Sequence, residues 1–359
     1  MTPRFHTLTI KDVRRETPDA VSIAFDVPDD LAGAYRYRPG QYLTVRATVG
    51  GEELRRSYSI CSGLDDRELR IAVKRIEGGV FSAFANEALA TGMPIDVMTP
   101  MGRFVLPEEP GARTYVAFAA GSGITPIMAQ VKTILSREPD SRFHLFYGNR
   151  RSQTILFKGE LEDLKDRFMT RLSVYHVLSQ EAQDVSLLSG RIDAAKVETF
   201  MRHVVPHETV DHFLLCGPGG LIDATREALL ALGVPAEKIH VELFTPADGT
   251  PVVRSRPARP AGEALPATAR LTVVLDGATH EMAMAEGETV VDAALRAGID
   301  APYSCKGGMC CTCRARVTEG AVRMRVNYSL EPWELEAGFV LTCQAEPVGD
   351  RVTVDYDAA

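Results

Sequence analysis

The chain has 359 residues, 45% of them hydrophobic and 25% charged, which suits two or three globular domains and excludes a disordered or collagen-like protein. With 40 Lys and Arg against 48 Asp and Glu, the net charge of −8 makes nucleic acid a poor partner. No stretch approaches the roughly 18 apolar residues of a membrane span, and Met1–Ile10 has no apolar signal core, so the expectation is a cytoplasmic protein with no membrane contact.

The first hundred residues read as strands. Thr7–Val13 and Val21–Val27 alternate with period two, Arg38–Val45 is a turn feeding a strand, and Arg56–Cys61 and Leu69–Val73 continue the series. Short strands at this spacing predict a small antiparallel barrel. From about Arg113 strands alternate with helices. Strands are expected at Thr114–Ala119, Phe143–Tyr147, Leu172–Leu178, Asp211–Cys216 and Ile239–Phe244, and helices at Ile127–Leu135, Leu156–Leu164 and Leu221–Leu232. That rhythm predicts a parallel sheet covered on both faces.

Five prolines (246, 251, 257, 260 and 266) break the regularity and mark a semi-extended linker. A compact unit follows, with strands expected at Ala269–Leu275, Glu281–Ala285 and Arg351–Asp355 and a helix at Val290–Ala297. Residues 265–359 hold 8 Lys and Arg against 14 Asp and Glu, so most of the negative charge sits there. The expected domains are 1–110, 111–244 and 269–359, with 245–268 as the linker.

Five of the seven cysteines fall in that last unit. Cys305, Cys310, Cys313 and Cys343 have the C-x4-C-x2-C…C spacing of a plant-type [2Fe–2S] site, with three thiolates on one loop and a fourth from a distant segment. Gly307 and Gly308 allow backbone N–H groups to approach the sulfurs. Structural zinc usually shows paired knuckles or histidines instead, and neither is present here. Cys311 is an alternative to Cys310 as ligand, but it would leave a C-x-C pair with Cys313; the expectation is a packed bystander.

Arg56-Ser57-Tyr58-Ser59 supplies a guanidinium for a flavin phosphate, a ring for the isoalloxazine and hydroxyls for its polar atoms. Gly78-Gly79-Val80-Phe81-Ser82 is suited to open a helix whose N–H groups face a pyrophosphate. Val73, at the end of a barrel strand, completes the flavin candidates. Gly121-Ser122-Gly123-Ile-Thr125-Pro126 lies between a strand and a helix, and its glycines permit backbone approach to a dinucleotide. Cys216-Gly217-Pro218 reaches the same sheet edge; Cys216 reads equally as a small buried hydrophobe or as a neighbour of the nicotinamide. Arg150 and Arg151, followed by Ser152, suit either a solvated loop or a 2′-phosphate, the latter favouring NADPH over NADH. His207-Glu-x-x-x-His212 and Glu237-x-x-His240 lack the spacing or partners of metal motifs.

A hydride carries two electrons and the cluster accepts one, so a flavin between them would act as the converter. The barrel and nucleotide regions resemble the ferredoxin–NADP reductase superfamily. The whole chain resembles reductase components of bacterial multicomponent oxygenases with a C-terminal ferredoxin. Within these it is most similar to the phenylacetyl-CoA epoxidase (ring 1,2-monooxygenase) reductase family, through Glu52–Cys61, Glu77–Ser82, Ala119–Pro126, Tyr147–Gln153, Cys216–Pro218, Cys305–Cys313 and above all Asn327–Ala345. The resemblance implies FAD, NADPH, a β-grasp ferredoxin domain, and electron delivery to a separate di-iron oxygenase subunit. It also makes Tyr58, Ser59, Cys216, Glu242 and Phe244 the candidates beside the reacting ring. Cys311 departs from the family loop, where a small residue is usual. Rival readings are a reductase for an aromatic-ring-hydroxylating oxygenase, an FMN enzyme of the same domain order, and a non-enzymatic redox sensor.

Overall fold

The computed structural model describes residues 3–106, 111–245 and 267–358. The boundary expected at 110 and the interior of the 245–268 linker lie outside the described residues. The chain divides into two compact units, one built on Phe5–Leu54 and the residues from Tyr58 through the parallel sheet, the other on the C-terminal segment.

The first sheet is made of β1 (Phe5–Thr17), β2 (Ala20–Asp26), β3 (Tyr42–Val49), β4 (Glu52–Ser59), β5 (Leu69–Lys74) and β6 (Pro94–Met98), with helix α1 (Val80–Glu87) between the last two. Its order is β4-β3-β6-β1-β2-β5. A bridge between Ile60, just past β4, and Ile71 on β5 brings the two edges together, as the expected barrel requires. Closure removes the exposed strand edges that would otherwise invite pairing with another chain. The interior is apolar, with Leu8, Ile10, Ile23, Leu43, Ile71, Val73 and Val97 essentially inaccessible. Arg70 is an exception: its guanidinium is buried but bonded to Asp12 (2.7 Å), Glu68 (2.8 Å) and Ser22 (2.9 Å). Such pairing makes a buried charge tolerable.

The second sheet comprises β7 (Thr114–Ala120), β8 (Arg142–Asn149), β9 (Leu172–Leu178), β10 (His212–Pro218) and β11 (Ile239–Thr245). All its pairs are parallel, in the order β11-β10-β7-β8-β9. Helices α2 (Ile124–Arg137), α3 (Lys158–Arg167), α4 (Ala194–His203) and α5 (Gly219–Ala231) make the crossovers. The strand order reverses between β7 and β10, and ligands of such sheets bind outside the carboxyl ends of the strands at that point. One apolar core joins the α2 face of this sheet to Ala20, Cys61, Ala72 and Phe104 of the barrel. Lys132 on α2 adds an ion pair to Asp66 of the barrel (2.9 Å).

The C-terminal unit contains β12 (Ala267–Leu275), β13 (Ala278–Ala285), α6 (Val290–Arg296), β14 (Arg314–Met324), α7 (Pro332–Glu336), β15 (Phe339–Leu341) and β16 (Ala345–Asp355). The sheet order is β13-β12-β16-β14-β15, with β12 and β16 parallel and the other pairs antiparallel. Helix α6 packs Val290, Val291, Ala293 and Ala294 into the same core as Leu271, Val273, Val352 and Val354. Thr289 caps this helix by accepting from the Asp292 N–H.

Candidate functional site

Two flavin motifs distant in sequence meet in the barrel. Tyr58, near the end of β4, lies 5.8 Å ring to ring from Phe81 at the start of α1. Phe81 is buried and holds the helix start against the barrel. Gly78 has φ +68°, a conformation glycine adopts at little cost, and it turns the chain into α1. Gly79 is hemmed in, since a Cβ there would meet the Ser82 hydroxyl at 2.5 Å. Ser82 is buried; its Oγ donates to the Gly79 carbonyl and accepts from the Ile76 N–H, both at 3.1 Å, so the hydroxyl shapes its own turn. Val73 presents its backbone rather than its side chain to its surroundings. It is wholly inside the barrel core, and its carbonyl accepts from Asn86 Nδ2 at 3.1 Å. Its side chain lies on the inner face of the strand, with the barrel core. Ser59 is buried, whereas Arg56 and Ser57 are half-exposed on the same strand.

The nucleotide motifs meet at the switch point. Gly121–Pro126 leaves β7 and Cys216–Pro218 ends β10, and these strands are neighbours. A Cβ on Gly123 would lie 2.2 Å from the Cys216 carbonyl oxygen, so the two turns touch backbone to backbone. Gly121 has φ +55°, and the Tyr147 hydroxyl donates to its carbonyl at 2.8 Å. Thr125 ties the turn down by donating to the Ser122 carbonyl at 3.0 Å, and Pro126 sits in the first turn of α2. Pro218 is exposed.

Cys216 and Glu242 are register partners on β10 and β11. Burial, with a smaller contribution from Glu242, pushes the Cys216 thiol well above its ordinary range. Burial also raises the Glu242 carboxyl to about 7, partly opposed by Arg103. Phe244, at the end of β11, packs against the core shared by the barrel and the sheet. Arg150 and Arg151 are exposed where the chain leaves β8. A contact with no sequence signal appears beside them: Glu181 Oε2 accepts from both the N–H (2.8 Å) and the hydroxyl (3.0 Å) of Ser152.

In the C-terminal unit the four spaced cysteines come together as two pairs. Cys305 is hydrogen-bonded with Cys310, and Cys313 with Cys343. The Cys310 contact and N–H groups that include Gly307, 3.3 Å from the sulfur, lower the Cys305 thiol to about 6. The same contact pushes Cys310 well up, and the Cys343 contact does so for Cys313. Two pairs of thiols are what two irons require, each taking two thiolates, so the donor set fits a [2Fe–2S] cluster. Lys306 (φ +49°) and Gly308 (φ +77°) set the loop's curvature. Cys311 also lies at positive φ (+54°), and its thiol donates to Ser329 Oγ at 3.1 Å. Thr342 fixes the segment that carries Cys343 by donating to the Cys313 carbonyl at 2.8 Å, and Tyr356 donates to Thr342 at 2.7 Å.

The two histidine motifs lie at the opposite edge of the parallel sheet. His212 and His240 meet at 3.0 Å, and burial holds both below the ordinary imidazole range, His240 at about 4.

Comparison with known proteins agrees with this geometry. Family models match an oxidoreductase FAD-binding domain at residues 7–106, an oxidoreductase NAD-binding domain at 118–227 and a 2Fe-2S iron-sulfur cluster binding domain at 273–348. The fold and these domains define an NAD(P)H-dependent flavin and iron–sulfur oxidoreductase component, with FAD, a [2Fe–2S] cluster and a pyridine nucleotide. The chain is 47% identical to a component of 1,2-phenylacetyl-CoA epoxidase from Escherichia coli over 99% of its length and 98% of that protein. It is 34% identical to the ferredoxin reductase component of 3-ketosteroid-9-alpha-monooxygenase from Rhodococcus rhodochrous, over 97% and 96%. Phthalate dioxygenase reductase shares the fold across 98% of both chains, with a TM-score of 0.58 at 21% identity. The chain belongs to the ferredoxin–NADP reductase family, in the branch that carries a C-terminal 2Fe–2S domain.

Proposed function

We propose that this protein is the reductase of a phenylacetyl-CoA epoxidase system, taking electrons from NADPH through FAD and its [2Fe–2S] cluster to a di-iron oxygenase subunit. The cluster and flavin supply the conversion of a two-electron donor into single-electron transfers. The observation that carries the reading is the pairing of Cys305 with Cys310 and of Cys313 with Cys343 in a chain that also holds flavin and nucleotide motifs. The near full-length similarity to the epoxidase component supports the choice of system.

In this reading domain boundaries run 1–110, 111–244 and 269–359, with 245–268 as linker, and the protein works in the cytoplasm. Arg56 and the N–H groups after Gly78 and Gly79 hold the flavin phosphates. Ser57, Tyr58 and Ser59 border its ring, and Val80, Phe81 and Ser82 keep that wall in place. The Gly121–Pro126 turn and Gly217-Pro218 receive the nucleotide's phosphates and nicotinamide, and Arg150 and Arg151 receive the 2′-phosphate. Cys216, Glu242 and Phe244 exclude water from the crevice, with the Glu242 carboxyl poised to hold or release a proton near neutral pH. Cys305, Cys310, Cys313 and Cys343 ligate the cluster.

An anaerobic titration of the purified protein with NADPH, followed by absorbance and electron paramagnetic resonance, tests the electron path. Bleaching of the flavin followed by a cluster signal is expected. Reduction of the candidate oxygenase by the same protein tests the system. The 34% match to a reductase of a different oxygenase favours one second reading, a related oxygenase as acceptor, which the same assay separates.

A further inference from the structure

We propose that Glu181 sets the balance between NADPH and NADH by seating its carboxylate where the nucleotide's 2′-phosphate would bind. This rests on the reading of the Arg150–Ser152 loop as the 2′ subsite. The Ser152 N–H and hydroxyl both point at one oxygen of Glu181, at 2.8 and 3.0 Å. A backbone N–H and a hydroxyl aimed at a single anionic oxygen form a phosphate seat. The positive charges of Arg151 and Lys158 act on the same carboxylate. A cluster of donors and positive charge on the exposed nucleotide loop is therefore occupied by the protein's own anion.

The loop does not depend on that anion for its shape. The Thr154 N–H and hydroxyl both donate to the Arg151 carbonyl, at 3.0 and 2.8 Å. Beyond the last register pair of β8 and β9, Asn149 with Leu178, Ser179 and Gln180 donate their N–H groups to the carbonyls of Asn149 and Arg150. These backbone bonds carry Glu181 to Ser152 and would persist without its carboxylate. Glu181 itself is exposed, so swinging it into water costs little.

The chemistry then distinguishes the two nucleotides. The ribose 2′-hydroxyl of NADH can donate to a carboxylate, so Glu181 in place is compatible with NADH. A 2′-phosphate cannot donate and carries the same sign of charge, so it must displace Glu181 to reach Ser152 and the arginines. Glu181 thus holds down NADPH affinity and keeps NADH usable.

The test uses the holoprotein and Glu181→Gln. Calorimetry measures the binding of adenosine 2′,5′-bisphosphate and of 5′-AMP, and steady-state assays give kcat/KM for NADPH and NADH. The variant should bind the bisphosphate about fivefold more tightly, the scale of one exposed charge pair, with 5′-AMP unchanged. The NADPH-to-NADH ratio of kcat/KM should rise by the same factor. Unchanged or weaker bisphosphate binding would overturn the proposal and make Glu181 a mere surface residue or a loop brace. Failure of the underlying reading has its own signature: Arg150→Ala combined with Arg151→Ala would then leave bisphosphate binding intact. If that double variant weakens bisphosphate binding and Glu181→Gln changes nothing, the subsite stands and only the role of Glu181 falls.

Discussion

Cys216 and Glu242 face each other as register partners on adjacent parallel strands, a thiol and a carboxyl side by side at the edge where the strand order reverses. Burial favours the neutral form of both, and Arg103 opposes it only in part for Glu242. This arrangement holds the Glu242 carboxyl in a titration range well above that of exposed carboxylates.

The first prediction follows from that. The Glu242 carboxyl is raised from 4.5 to about 7 in the folded protein. Between these values the folded state binds more protons than the unfolded state, so stability falls as pH rises through that window and levels off above it. Glu242→Gln should flatten this decline. Thermal denaturation at pH 5 and pH 8 should show the variant gaining on the parent mainly at the higher pH; an equal effect at both would refute a buried, raised carboxyl.

Gly123 offers a steric test. Its φ is ordinary, so alanine is not strained there by its backbone, yet the added carbon would lie 2.2 Å from the Cys216 carbonyl oxygen. Gly123→Ala should push the two turns apart and raise KM for the nicotinamide nucleotide at least about tenfold, since misplacement of a binding loop by about 1 Å is costly. Flavin content, measured by absorbance, should stay the same because the barrel motifs are elsewhere.

The cysteine assignment separates two neighbours. Cys343→Ala removes one member of the Cys313 pair and should abolish stable iron and sulfide incorporation. Cys311→Ala removes a thiol that donates to Ser329 and should leave iron and sulfide stoichiometry unchanged. Colorimetric iron and sulfide assays on both variants decide the matter; loss of iron in Cys311→Ala would reassign the ligand set.

The histidine pair predicts acid behaviour. His240 is lowered from 6.5 to about 4 and His212 is lowered too, so the folded state resists protonation that the unfolded state accepts. The stability this represents is present above about pH 6.5 and is lost as pH falls toward 4. His240→Gln should therefore shift acid unfolding, followed by circular dichroism, to lower pH.

Much of this architecture was legible in the chain. Period-two alternation marked β1 and β2 and an apolar run marked β7, although β2 proves buried along nearly its whole length. The spacing of Cys305, Cys310, Cys313 and Cys343 marked the cluster module. Other elements carried no comparable pattern. In β14 alternation is broken by register shifts between Val317 and Glu319 and between Gly320 and Val322, and most of its middle faces solvent. Strand β6 opens on a proline and has only five residues. Helix α4 buries just Val197, Phe200 and Met201, too few to stand out from a polar stretch. At the site, the division of cysteines into pairs and the bond from Ser152 to Glu181 depend on through-space proximity, which spacing along the chain does not encode.

The hydrogen-bond relay from Tyr356 through Thr342 to the Cys313 carbonyl has a consequence for how the iron–sulfur module is assembled. The segment carrying Cys343 is clamped to the loop carrying Cys313 by ordinary protein groups, so part of the positioning of these two sulfurs rests on the polypeptide's own hydrogen bonds. The clamp's outer jaw is Tyr356, so a Tyr356→Phe chain should hold iron less firmly even though all four spaced cysteines remain in place.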